Sequence, residues 1–303
     1  MTRIRTAILL TFALGLVAGT AWGAFPNLSV SPRSRAMGDA AVAVPGDAFA
    51  PYHNPALLGA MRRPTIGTSY VRPYGLDFHD LFYLGGAIPL PTKYGAIGYG
   101  LRLYGSSYQD VDLEKETTFT LAHGLPIYSD LHSTINFGYA LNLYRLEFGP
   151  TVGTDGQGTG GFDPGNDVAF SLDAALYITL HERTHLGVLT KNLTNSQIGQ
   201  DNEELPQRIH GGISYEPYVG VITTFEIESE LGQPAMYHGG VEMEVVSNFR
   251  TRFGIQAQPA KLMFGFGYAV TGLTIDYGFS TGGGVLDTSH QFGLTYSWGG
   301  TGE

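Results

Sequence analysis

Cysteine is missing altogether from the 303 residues, so neither a disulfide nor a thiolate metal site can hold this chain together. Charge is scarce as well. Asp, Glu, Lys and Arg make up 15% of the sequence, against about 25% in an ordinary soluble domain, which argues against a cytosolic enzyme. Basic residues are the scarcer sign, 17 against 27 acidic, for a formal net charge of −10. Without a basic face to neutralise phosphates, nucleic acid is not an expected partner. Beyond the N-terminus no apolar run approaches the ~20 residues of a spanning helix, so a membrane, if crossed, is not crossed by helices. What the chain does have is 43 glycines and 12% aromatic residues.

The N-terminus reads as an export leader. Arg3 and Arg5 precede the apolar stretch AILLTFALGLVAG, and Ala21-Trp22-Gly23 has the small-x-small form of a cleavage site. Residues 1–23 are therefore expected to be a signal peptide and the mature chain to begin near Ala24.

From about Thr65 onward, period-two alternation dominates. Ile135, Phe137, Tyr139, Leu141 and Leu143 share one face of a strand, while Thr134, Asn136, Gly138, Ala140 and Asn142 share the other. A soluble sandwich puts its bulky face inward and its charged face outward. Here the second face is glycine, small polar residues and a few charges, the inverse arrangement that suits lipid outside and a polar lumen. About fourteen alternating runs begin near residues 65, 80, 93, 115, 131, 166, 184, 205, 219, 235, 248, 261, 271 and 286. The odd connections include the long ones (72–80, 105–115, 147–166, 193–205, 281–287) and the even ones are tight. The expected fold is all-β: a transmembrane antiparallel β-barrel of about fourteen strands over 64–303, in the bacterial outer membrane.

Inward parity gives the expected lumen wall: Glu226, Glu228, His238, Glu242 and Glu244 with Arg250 and Arg252. It reads either as a structural ion-pair ladder or as a polar track for a solute. No catalytic constellation emerges. Ser289 and His290 are adjacent and so point to opposite faces of a strand, and His53, His123, His181, His185 and His210 are scattered along the chain. No enzyme activity, metal or cofactor is expected. The glycine-rich stretch with Asp155, Asp163 and Asp167 reads as a surface loop rather than a calcium site.

Residues 34–59, SRAMGDAAVAVPGDAFAPYHNPALLG, carry a resemblance. Ser34, Arg35, Met37, Gly38, Ala40, Ala43, Asp47, Ala48, Asn54, Pro55, Ala56 and Leu58 resemble the N-terminal signature of the PorV/PorQ family, which is related to FadL-like long-chain fatty acid transporters. The resemblance implies a fourteen-stranded barrel with residues 24–63 expected as a short helical N-terminal plug folded into its lumen. In it Ser34, Arg35, Met37, Gly38, Asp47, Asn54, Pro55 and Ala56 belong to the plug or gate. It also implies two alternative roles. One is transport of hydrophobic solutes or export across the outer membrane. The other is a type IX secretion or assembly scaffold that docks exported proteins without a small-molecule ligand. Expected partners are outer-membrane lipid and either hydrophobic small molecules or secretion-system proteins. From the residues themselves, Asn54 is a good N-cap and Pro55 suits a first helical position.

Overall fold

A computed structural model describes residues 24–108, 111–149, 165–283 and 286–299. The expected leader and residues 150–164, including Asp155 and Asp163, lie outside the described residues. The strands are β1 (Thr65–Val71), β2 (His79–Pro89), β3 (Ala96–Tyr108), β4 (Val111–Ser129), β5 (Ser133–Phe148), β6 (Asn166–Leu180) and β7 (Thr184–Lys191). Next come the two-residue strands β8 (Gln197–Ile198) and β9 (Glu203–Glu204), which pair only with each other. The second half comprises β10 (Arg208–Tyr218), β11 (Val221–Glu230), β12 (Met236–Val246), β13 (Phe249–Ala257), β14 (Lys261–Val270), β15 (Leu273–Ser280) and β16 (Ser289–Ser297).

Fourteen of these close into one antiparallel barrel, each paired with its neighbours in sequence order. Closure runs through β1, which pairs with β2 and with β16 in the register Thr65↔Ser297 to Val71↔Gln291. Among the described residues the barrel leaves no edge unpaired, as a sheet in hydrocarbon requires. The faces divide as the alternation predicts. On β5, Tyr139 and Leu141 are exposed while Asn136, Ala140 and Asn142 are buried. The outer surface carries Phe119, Leu121, Phe253, Phe264, Phe292 and Leu294, the apolar face of an outer-membrane barrel. Among the described residues no helix is long and apolar enough to cross a membrane.

Connections alternate between rims. Residues 130–132, 181–183, 219–220, 247–248 and 271–272 make short turns at one end, whereas 149–165, 192–207 and 281–288 are long at the other. This asymmetry makes the short-turn rim periplasmic. One expected long connection is instead strand. β3 and β4 continue to Tyr108 and Val111 and pair through Gly105↔Lys115 and Ser106↔Glu114, with a bulge at Ser106/Ser107. The acidic run 110–116 looks like a loop, but its inward member Glu116 is buried against Arg102 at 3.3 Å, which holds the ladder together. With 19 residues, β4 is longer than the ~9–11 a tilted spanning strand needs, so this hairpin projects beyond the outer rim.

The N-terminal residues run inside the barrel. Ser31 caps helix α1 (Pro32–Ala36) by accepting the Ser34 N–H at 3.3 Å, and Pro32 sits in the first turn, where a missing N–H costs nothing. Gly38 (φ +76°) and Asp39 (φ +64°) then turn the chain. Helix α2 (Ala50–His53) leads into a 3₁₀ helix, Pro55–Ala60, which ends at the periplasmic start of β1. Val42, Ala43, Ala50, Ala56, Leu57 and Leu58 form a buried cluster with Ala87, Ala122, Ala140 and Ala175 of the inner wall. Each fully buried leucine contributes roughly 1.5–3 kcal/mol.

Candidate functional site

Residues 34–59 meet the wall chiefly where the wall is glycine. A Cβ on Gly138 would collide with the backbone of Pro55 and Ala56, and one on Gly254 with Gly38 and Met37. At Gly98 it would lie 2.7 Å from Pro51 Cγ. Backbone packs against backbone only because these positions carry no side chain. Asn54 is fully buried and fixes the turn between the helices. Its Oδ1 accepts the Ala56 N–H at 2.9 Å, while its Nδ2 donates to Val42 O at 2.7 Å and to Leu176 O at 3.3 Å. Pro55 and Ala56 are buried beside it, as is Met37 in the preceding turn.

On the periplasmic side a charged network ties the segment to β12, β13 and β15. Arg33 grips Glu242 with Nε and Nη2, both at 2.9 Å, and lies 3.8 Å from Asp47. Glu242 also accepts from Arg252 Nε at 2.6 Å, and Arg252 reaches Asp276 at 2.6 Å. Burial opposes the Arg33 charge, but Glu242 and then Asp47 more than offset it and raise its pKa above the ordinary value. Glu242 and Arg252 face each other in register, as do Glu244 and Arg250, which pair at 3.4 Å at the half-open rim. Asp47 also receives the Phe49 N–H at 2.9 Å.

On the outward side Glu226 and Glu228 meet two histidines. Glu226 accepts from Val42 N at 2.9 Å and pairs with His210 at 2.8 Å. Glu228 accepts from Asn27 Nδ2 at 2.6 Å and lies 3.5 Å from His238 Nε2. His238 Nδ1 donates to Gly38 O at 2.7 Å. Arg35 is buried but has neutral partners, Gln291 at 2.6 Å and Ser280 at 3.2 Å, and burial lowers its pKa. Ser34 Oγ reaches Asp39 at 3.4 Å. The Lys191 ammonium stands 3.6 Å over the Tyr52 ring. Ser289 points inward to accept the Tyr74 N–H at 2.7 Å, while His290 points outward beside Tyr277, so the two cannot act together. Among the described residues no three His, Asp or Glu side chains converge as a metal site.

The segment divides the lumen. An outward cavity of about 300 Å³ is lined by Leu28, Val42, Tyr52, Tyr74, Lys191 and His238. A periplasmic one of about 310 Å³ is lined by Arg33, Asp47, Glu216, Glu242, Arg250 and Asp276. Between them Met37, Ala40, Val44, Ala50, His53 and Leu57 enclose only about 20 Å³.

All the residues expected at the site thus surround one lumen, but in two groups. Glu226 and Glu228 face the outward cavity, whereas Glu242, Glu244, Arg250 and Arg252 face the periplasmic one. Sequence reasoning placed His238 on the inner wall but missed Arg33, Phe25 and the Arg102–Glu116 pair. For Arg102 and Glu116 the signal was present as inward strand parity. For Arg33 and Phe25 nothing local marked the contact.

No protein-family profile and no curated protein matches the chain. Solved structures do. CymD, a monoaromatic hydrocarbon channel, is 13% identical with a TM-score of 0.64 over 91% of this chain and 100% of its own. The Ralstonia pickettii toluene transporter TbuX is 15% identical, with a TM-score of 0.62 over 90% and 100%. A Pseudomonas aeruginosa FadL homologue is 11% identical, with a TM-score of 0.57 over 89% and 98%. At these identities the likeness is one of fold, and that fold is FadL-like.

Proposed function

We propose that this chain passes small apolar or amphipathic solutes across the outer membrane, with residues 34–59 as the gate. The observation that carries this reading is the division of the lumen into two cavities by a segment of the chain itself. A solute entering the outward cavity meets Leu28, Val42 and the Tyr52 and Tyr74 rings together with charged groups such as Arg35, Lys191, Arg208 and Glu230. Solved barrels of this fold include channels for monoaromatic hydrocarbons and toluene, which supports the solute class. Lipid is the partner of the outer face.

A scaffold role of the PorV/PorQ kind is the second reading, and two features favour it. The segment is bonded to the wall at both ends of its path, and the β3–β4 hairpin projects outward as a docking surface. The test is purification from outer membranes with mass spectrometry of everything retained. Bound hydrophobic molecules without stoichiometric protein partners are the expected result. A stable protein complex with an empty barrel would replace the gate reading by the scaffold.

A further inference from the structure

The chain enters the described structure at Ala24, at the outward end of the lumen beside the β3–β4 hairpin. Its position is fixed by the next residue. The Phe25 N–H donates to Glu116 Oε1 at 2.5 Å and its carbonyl accepts from Arg208 Nη2 at 3.2 Å. The Phe25 ring, 4% exposed, meets Tyr144 edge-on at 4.8 Å between centroids. Ala24 lines a cavity of about 230 Å³ together with Tyr74, His79, Tyr104, Glu114 and Glu116.

The charges around this cavity do not balance. Glu116 is matched by Arg102, and Arg208 is matched by Glu230 at 2.6 Å. His79 Nδ1 and the Tyr104 hydroxyl share a hydrogen bond at 3.1 Å. Glu114, one inward position from Glu116 on β4, has no cationic side chain within 4 Å among the described residues, and Glu116 and Glu203 add like charge beside it. Among the described residues Glu114 thus lacks a cation in the cavity that Ala24 lines.

The sequence supplies one. Hydrolysis of the Gly23–Ala24 peptide bond at the Ala21-Trp22-Gly23 site adds one water. The new carboxylate leaves on the leader, and the amine stays on Ala24 and takes up a proton at neutral pH. We infer that Glu114 and Glu116 are a receptor for the α-ammonium of Ala24, so that removal of the leader completes the docking of the N-terminal segment. This rests on the leader reading and is independent of which solute the barrel carries. An ammonium between carboxylates in a confined cavity makes charge-assisted hydrogen bonds of about 2.7–2.9 Å. An uncleaved amide offers no charge to Glu114 and would require the leader to share the lumen.

The protein purified from outer membranes provides the test. Intact mass is expected to give a chain beginning at Ala24; a different first residue overturns the inference. The α-amine, followed by NMR after reductive ¹³C-methylation, is expected to titrate about one unit or more above the ~7.7–8.0 of a free chain terminus. Titration at the ordinary value in the wild-type protein overturns it as well. Glu114→Gln is expected to bring the titration down while the barrel keeps its heat-modifiable mobility. A chain with Gly-Ser placed before Ala24 is expected to lose the shift outright. If that extended chain keeps the shift, the carboxylates are not the receptor.

Discussion

At the scale of single residues, Glu242 is the pivot of the N-terminal segment's attachment, because it accepts from Arg33 and Arg252 at once. Glu242→Gln removes the charge both guanidiniums need, and we expect it to weaken docking by about 3–5 kcal/mol, the usual cost of an unpaired buried charge. Arg33→Met should cost less, about 1–3 kcal/mol, since Glu242 then keeps Arg252. Protease susceptibility of residues 32–60 in the folded barrel measures both, and equal losses would contradict the pivot. His53 gives a pH dependence. Enclosure in the lumen, and next the nearby Lys191 charge, push its imidazole down to about 3. Between there and the unfolded value near 6.5 the unfolded chain binds more protons, so stability rises with pH and is lost as pH falls through that window. The midpoint of thermal unfolding should therefore drop more steeply from pH 7.5 to 4.5 in the wild type than in His53→Leu. Parallel curves would show that His53 does not titrate in this way. At this scale the sequence was a partial guide. Asn54 and Pro55 carry their local chemistry in their own side chains, and the structure shows it. Arg33 gave no such signal, since its main partner, Glu242, lies 209 residues away in the chain.

At the scale of elements, the strands were legible because a strand between lipid and a packed lumen has two chemically opposite faces, and every pair of residues repeats the contrast. The β3–β4 hairpin was misread where the contrast fails. Beyond the membrane the outer face meets water instead of lipid and the alternation fades, although backbone pairing continues from Gly105↔Lys115 to Tyr108↔Val111. The wall glycines belong to this scale too. Gly138 and Gly254 do not serve strand formation, which glycine weakens; they make room for the segment. Gly138→Val and Gly254→Val should leave the barrel's heat-modifiable mobility and strand content intact while exposing residues 32–60 to protease several-fold faster. An unchanged cleavage rate would mean that the segment does not depend on close backbone approach.

At the scale of the whole molecule, the barrel supplies a closed wall and the N-terminal segment supplies the division of its interior. The outward cavity carries Tyr52, Tyr74 and Leu28, and the periplasmic one is dominated by Arg33, Glu242, Arg252 and their neighbours. Solutes of mixed character could rest in the first and would have to displace or bypass the segment to reach the second. Fold, strand count and topology followed from composition and periodicity. The two-chamber interior did not, because it arises from contacts between residues 24–63 and strands distributed around the entire barrel. The most direct measurement is planar-bilayer conductance of the wild-type protein beside a chain lacking residues 34–59. The gate account predicts small, rare openings for the wild type and a steady conductance several-fold larger for the deletion. Equal conductance from two correctly folded barrels would contradict it.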